Sequence, residues 1–333
     1  MSFDFVHPGS LRVLVLSGGP SAEREISLQS GQAVAYALTQ CGHQVTSFDP
    51  RDEQLTGVDA SQFDVAFVAL HGRYGEDGGV QAQLEALGLP YTGSSPEASA
   101  LAFSKTAAKA RFLSHDVPTP AAVAFQAGEP LSDVVIRATH LGFPVVVKPD
   151  RQGSSLGISF AHTSHELAAA ITAALAFDTQ GLIEVAIAGE EWTVPLLDEE
   201  VLPPIRIGTP HAFFDYEAKY LREDTAYEFP EDVSIDDLVL IQDTAQQAAR
   251  SLGVTSLSRV DLRVDPSGQP WVLEINTIPG LTDHSLAPKS AAQRGLSFAP
   301  LCEDICRRAL AAHCRNLPHR QGPPLPHQLR RAG

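Results

Sequence analysis

Residues 259–280 read RVDLRVDPSGQPWVLEINTIPG. Two short β-rich runs flank Asp265-Pro266-Ser267-Gly268, where Pro at the second position and Gly at the fourth suit a type I turn, so the stretch predicts a β-hairpin. Side chains alternate at period two, which puts Arg259, Asp261 and Arg263 on one face of the first strand and Glu274 and Asn276 on one face of the second. A hairpin loop with an even number of residues brings those faces to the same side; a three-residue loop splits them. The expectation is an even loop, with Val260, Leu262, Val264, Leu273 and Ile275 as the apolar packing surface. Two carboxylates and a carboxamide then converge beside a fixed cation. Hard oxygen ligands in this number suit Mg²⁺ shared with substrate phosphates. A hairpin with a solvated charged face has the same pattern.

The surrounding chain of 333 residues is long enough for two or three domains. With 44% hydrophobic and 19% charged residues, it has the composition of an ordinary globular protein. Its net charge of -16 argues against a nucleic-acid partner, so any anionic ligand must be met by locally placed cations. No apolar run approaches the ~20 residues of a membrane span, and MSFDFVHPGS lacks the regions of a signal peptide, which predicts a cytoplasmic location. Cys302, Cys306 and Cys314 sit in an apolar helical pattern and read as buried helix-face thiols.

Upstream, LRVLVLSGGPSAEREISLQSGQAVAYALTQCG (residues 11–42) reads as strand, glycine turn and helix, with Ser21 as N-cap. Strands at 43–48 and 64–70 complete an alternation that implies a parallel α/β sheet. The turn lacks the G-x-G-x-x-G spacing of a dinucleotide fold, and no acidic residue sits cleanly at the end of the second strand. Glu23 suits the dipole at the helix start. The third strand runs into LHGRYGEDG; ligands of open α/β sheets bind beyond the carboxyl ends of strands, which places His71 and Glu76 where chemistry is expected.

From about residue 94 the chain turns alanine-rich and carries Lys105. In VVVKPDRQGSSLGIS, a strand delivers Lys148, and Gly153, Ser154, Ser155 and Gly157 form a loop that lets backbone N–H groups approach phosphate, without the Walker spacing. A surface hairpin is the other reading. Glu184, Glu190 and Glu191 lie in strand-like settings that suit an adenosine cleft or an acidic edge. The polar, aromatic segment TPHAFFDYEAKYLREDTAYEFPED, with Lys219 and Tyr220, reads as a lid.

Taken together, LSGGPSAEREISL, ALHGRYGEDG, LPYTGS, VVVKPDRQGSSLGIS, FFDYEAKYL, SRVDLRV and LEINTIPGLTDHSL resemble, in order, the ATP-grasp enzymes and within them the D-alanine:D-alanine ligases. The resemblance spans about residues 11–314. It implies an α/β and α+β architecture: an N-terminal parallel α/β substrate-binding domain (11–103) after a leader (1–10), then central (104–188) and C-terminal catalytic (189–316) subdomains sandwiching ATP. A lid at about 209–232 and a disordered tail (317–333) complete the division. ATP-dependent joining of two D-alanines through a D-alanyl phosphate, for peptidoglycan precursor synthesis, is the implied activity.

By the same resemblance, Lys105, Lys148 and Lys219 bind phosphates with help from Ser154 and Ser155. Glu184 and Glu191 serve the adenosine pocket; the family usually has lysine after the first of these, and here it is Val185. Asp261, Glu274 and Asn276 ligate two Mg²⁺ (or Mn²⁺). Glu23 holds the first D-alanine's ammonium, and Arg259 with the Gly280 N–H binds the oxyanion. Ser285 and Leu286 receive the second substrate, and Ser154 and Tyr220 close loop and lid towards Glu23. His71 and Glu76 lie near the substrates, His71 as a candidate proton acceptor. A homodimer is implied. Ligation of D-alanine to a hydroxy acid, a nucleotide-binding module without catalysis and a dehydrogenase are the competing readings.

Overall fold

The computed structural model describes residues 9–208, 226–282 and 284–316. Lys219, Tyr220, most of the expected lid, most of the leader and the tail lie outside the described residues. The first unit runs β1 (Arg12–Leu16), α1 (Arg24–Gln40), β2 (Gln44–Phe48), β3 (Val65–Val68), α2 (Gly79–Leu87) and α3 (Pro96–Phe103). Its three strands are parallel in the order β2-β1-β3, as the alternation predicts. Two expectations fail here. Ser21 does not cap α1: its hydroxyl donates to His71 O at 2.6 Å, and Glu23 occupies the cap position. An acidic residue does follow β2, but Asp49 accepts from Gly19 N and pairs with Arg24 at 2.6 Å, so its carboxylate is committed within the protein.

The chain continues with α4 (Lys105–Ser114), β4 (Ala122–Gln126), α5 (Leu131–Thr139), β5 (Val145–Pro149), β6 (Ser159–Ala161), α6 (Ser164–Ala174) and β7 (Gln180–Val185). These strands form an antiparallel sheet in the order β4-β7-β5-β6, with α5 and α6 burying its apolar side. A third sheet is built from β8 (Glu190–Leu197), β9 (Glu200–Val201), β10 (Ile205–Gly208), β11 (Ala226–Glu228), β12 (Leu257–Val264) and β13 (Pro270–Asn276), in the order β11-β10-β8-β12-β13 with β9 on β8. The end of the expected lid, β11, is thus a strand of this sheet. α7 (Ile235–Leu252), α8 (Leu286–Gln293) and α9 (Phe298–Asn316) complete the described chain. Cys302 and Cys306 of α9 pack with Val13, Val34 and Phe67, so the last helix closes the core of the first sheet. Cys314, expected to be buried, is exposed because the last turn of α9 runs past that core.

The β12–β13 hairpin departs from expectation in an informative way. Gly268 N donates to Asp265 O at 2.9 Å, as a type I turn requires, but Asp265 N also donates to Gln269 O, and five residues (265–269) separate the strands. The loop is odd. Val264, Arg263 and Leu262 face Pro270, Trp271 and Val272; uninterrupted, that register would set Leu273 opposite Asp261 and turn Glu274 towards the core. A bulge intervenes. Leu273 becomes the additional residue, Asp261 faces Glu274, and Arg259 faces Asn276. The polar face survives by the bulge, not by an even loop. The core face accordingly takes Val272 and Ile275 rather than Leu273.

Trp192, Val194, Val260, Leu262, Val272 and Ile275 pack beneath the sheet against Ile241, Ala245 and Ala249 of α7 and Phe112 of α4. Trp192 is the largest fully buried side chain of this layer. Trp192→Ala should lower unfolding free energy by about 3–5 kcal/mol. Chemical denaturation checks it, and an unchanged midpoint would contradict the assignment of this layer as the structural base of the site.

Candidate active site

Directly opposed residues share a face, and β8 extends the polar face of the hairpin: Thr193 pairs with Asp261, and Glu191 with Arg263. Asp261 and Glu274, two carboxylates set opposite each other, repel unless cations sit among them. Arg259 grips Asp261 through Nε and one terminal nitrogen, both at 2.8 Å, and Thr193 donates to it at 2.6 Å. Lys105 Nζ lies 3.2 Å from Glu274 Oε2. Asn276 Oδ1 accepts from Ile278 N at 2.9 Å and so shapes the turn that leads to Gly280.

The lysines arrive from the second sheet and from α4. Ser104 caps α4, and Asp150, fully buried just after β5, accepts from Ser104 Oγ at 2.8 Å and Thr106 N at 2.7 Å. This contact ties the helix bearing Lys105 to the strand bearing Lys148. Lys105 Nζ also donates to Gln152 O at 2.7 Å, against the glycine-serine loop. Lys148 is buried and paired with Glu184. Burial disfavours its charge, but Glu184, Glu274 and Glu191 outweigh that and hold its pKa above the ordinary lysine value. Glu184 is expected to face adenosine, yet its second oxygen lies 3.1 Å from Lys109. Burial would raise its pKa; the two lysines hold it below the ordinary carboxylate value.

Lys109 was not foreseen. It donates to Thr119 Oγ1 at 2.7 Å and Pro120 O at 2.8 Å, and burial lowers its pKa. Its spacing of four residues from Lys105 on α4 is the signal that could have found it. Thr193 and Asp150 carry no such signal, because their partners lie 68 and 44 or more residues away.

Glu23 enters from the first sheet. Ser154 Oγ donates to its carboxylate, joining α1 to the loop after β5 as expected, while Tyr220 lies outside the described residues. A Cβ on Gly153 would stand 2.7 Å from Glu23 Oε2, and one on Gly72 2.5 Å, so both glycines are what allow the carboxylate its place. Glu23, Glu76, Lys105, Ser154, Arg259, Glu274 and Asn276 line one small cleft of about 50 Å³. Arg259 is shared with a neighbouring cavity of about 210 Å³ whose wall includes Gln29, Ser30, Gly280, Ser285 and Leu286. Ser285 heads α8, and its Oγ accepts from Thr282 N at 3.1 Å. His71 lies behind the cleft, with Nδ1 3.7 Å from Glu76 Oε1. Ser155 and Glu191 stand on the same loop and sheet face without lining either cavity.

Among the described residues no three His, Cys, Asp or Glu side chains form a metal-holding group by themselves. Asp261, Glu274 and Asn276 nevertheless offer oxygen donors on one face, which fits a hard cation that draws its remaining ligands from water and phosphate.

Two antiparallel sheets meeting over lysines and carboxylates, beside a parallel α/β unit, define an ATP-grasp fold. A sequence model of the D-ala D-ala ligase C-terminus matches residues 116–307, and one of the N-terminus matches 47–94. D-alanine--D-alanine ligases from Halorhodospira halophila and Pseudomonas putida are 46% and 45% identical, over 90% of this chain and 96% and 93% of theirs. The structure of a Bacillus anthracis D-alanine--D-alanine ligase complexed with ATP superimposes with a TM-score of 0.82 at 30% identity, covering 92% of this chain and 99% of that one. A D-Ala:D-Ser ligase from Enterococcus faecalis gives 0.79 at 27%, covering 90% and 100%. The chain belongs to the D-alanine--D-alanine ligase family.

Burial pushes the Glu76 carboxyl up to about 7; the nearby His71 imidazole opposes this and the charge of Glu23 adds to it. A carboxyl raised above its ordinary value of 4.5 contributes stability that is fully present below that pH and is lost as pH rises through about 7. The loss is on the order of 3 kcal/mol. Glu76→Gln should remove it, so denaturation at acid and mildly alkaline pH should show the wild type weakening and the variant holding level. Parallel pH dependences would contradict the assignment.

Proposed function

We propose that this chain joins two D-alanines to D-alanyl-D-alanine with ATP, supplying peptidoglycan precursor synthesis in the cytoplasm. The single observation that carries the reading is the sharing of Arg259 between the cleft holding Glu23 and Glu274 and the cavity bordered by Gly280 and Ser285. One residue thus borders both the place where a carboxylate is activated and the place where it is attacked.

The carboxylate of the first D-alanine attacks the γ-phosphate of ATP, breaking the bond to ADP and forming D-alanyl phosphate. Glu23, oriented by Ser154, receives that D-alanine's ammonium group. Lys105 and Lys148, with Lys219, face the phosphates, and the loop bearing Ser154 and Ser155 covers them. Glu191 serves the ribose, while Glu184 keeps Lys148 charged and in place. Asp261, Glu274 and Asn276 hold Mg²⁺ or Mn²⁺, which neutralises charge on the phosphates when bound. The second D-alanine, its carboxylate received at Ser285 and beside Leu286, gives a proton to a phosphate oxygen of the intermediate and attacks the acyl carbon. Arg259 and the Gly280 N–H stabilise the oxyanion, an interaction worth roughly 3 to 4 kcal/mol per donor. Collapse expels phosphate and leaves the peptide. Water must be excluded because it would hydrolyse the acyl phosphate, the role the family resemblance gives to Tyr220. The substrate (11–103), central (104–188) and catalytic (189–316) parts are our division of the chain, which the presence of three separate sheets supports, and the chain acts as a homodimer.

Purified protein given ATP, Mg²⁺ and D-alanine should release ADP, phosphate and dipeptide in equal amounts. D-lactate or D-serine should not displace D-alanine as acceptor at neutral pH; a dominant ester or D-alanyl-D-serine product would overturn the substrate assignment. Glu274→Gln and Asn276→Asp, assayed separately, should each lower turnover on the order of a hundredfold with an unchanged melting profile. Normal activity in the Glu274 variant would refute the metal role.

A further inference from the structure

Behind the 278–281 turn, three hydrogen bonds close a ring. His71 Nδ1 lies 3.0 Å from Ile278 O, His71 Nε2 lies 3.0 Å from Ser30 Oγ, and Leu281 N donates to Ser30 Oγ at 3.4 Å. Ser30 is fully buried within α1, and His71 is nearly so. The directions of the two backbone bonds are fixed by chemistry. A carbonyl oxygen only accepts, so Nδ1 carries a proton; a backbone N–H only donates, so Ser30 accepts from Leu281, and its hydrogen or its second lone pair meets Nε2. The ring therefore requires a proton on Nδ1 and leaves neither ring nitrogen without a partner.

We propose that Ser30 is a positioning residue for the ligation: acting through His71, it fixes the 278–281 turn and so aims the Gly280 N–H into the cavity that both Ser30 and Gly280 line. This rests on the ligase reading above. It also changes the part expected of His71. Both ring nitrogens are committed to the turn and to Ser30, so His71 holds the oxyanion donor in place and does not take the proton of the attacking amine. The charged group facing the imidazole is Glu76, 3.7 Å from Nδ1, with Glu23 acting on Glu76 in turn. The other elements packed on the ring contribute the Ser30 hydroxyl from α1 and the Ile278 carbonyl from the turn. The phosphate side, held by Lys105, Lys148 and Asp150, has no member in the ring.

The consequence is a separation of the two half-reactions. Loss of the Ser30 hydroxyl loosens the turn that serves attack on the acyl carbon and leaves phosphoryl transfer in place. In Ser30→Ala, dipeptide formation should fall on the order of tenfold, with the KM for ATP unchanged and the ratio of ADP to dipeptide raised by about threefold or more. A loss of folded protein alone would lower both products together. Nitrogen NMR of the full chain labelled in histidine should show the wild-type His71 protonated on Nδ1, an observation that does not depend on the variant folding. An Nε2–H tautomer, or an unchanged product ratio in Ser30→Ala, would overturn the proposal. Wild-type protein that makes no dipeptide would overturn the ligase reading instead, while the tautomer still reports on the ring.

Discussion

Leu273 has no partner across the β12–β13 ladder, and the site depends on that one irregularity. With an odd loop, a regular ladder would set Glu274 opposite Val260 and send its carboxylate into the apolar layer between sheet and α7, where an unpaired charge is very costly. The bulge displaces a leucine out of register, and the polar and apolar faces of β13 both come right: Val272 and Ile275 go below, Glu274 and Asn276 above. Bulges near functional sites commonly re-aim side chains in this way.

The opposed carboxylates then determine what surrounds them. Asp261 is held by Arg259 and Thr193, Glu274 lies beside Lys105, and Glu184 is held between Lys109 and Lys148. Each of these carboxylates is matched by an opposite charge, which is the condition for keeping ionised groups in a largely enclosed site. An arrangement that keeps lysines and carboxylates charged at close range is well suited to polyphosphate with its counter-cations, because both partners are already desolvated and oriented.

Local chemistry made much of this legible from the chain. The Asp265-Pro266-Ser267-Gly268 turn, the alternating faces of β12, the glycine-serine loop and the parallel first sheet follow from short-range pattern, and seven ordered motifs supplied the family. What escaped was long-range. Lys109 looks like a surface lysine of a helix until Glu184, some 75 positions later, packs against it. Ser30 reads as a neutral helix residue until His71 and Leu281 close on it. The bulge depends on which of Val272 or Leu273 fits beneath the sheet, a matter of packing that period-two counting does not contain. Ser21 differs from expectation for a related reason: its hydroxyl has a capping option, and the His71 carbonyl in the loop after β3 outcompetes it.

Under the proposed function, the face set by the bulge carries the metal that ATP requires. Crystals grown with Mn²⁺ and a non-hydrolysable ATP analogue would test it directly through the anomalous signal of manganese. The account predicts manganese bound by Asp261, Glu274 and Asn276 together with phosphate oxygens, with the Arg259 guanidinium displaced from Asp261. Manganese bound elsewhere, with the Arg259–Asp261 pair intact, would contradict it.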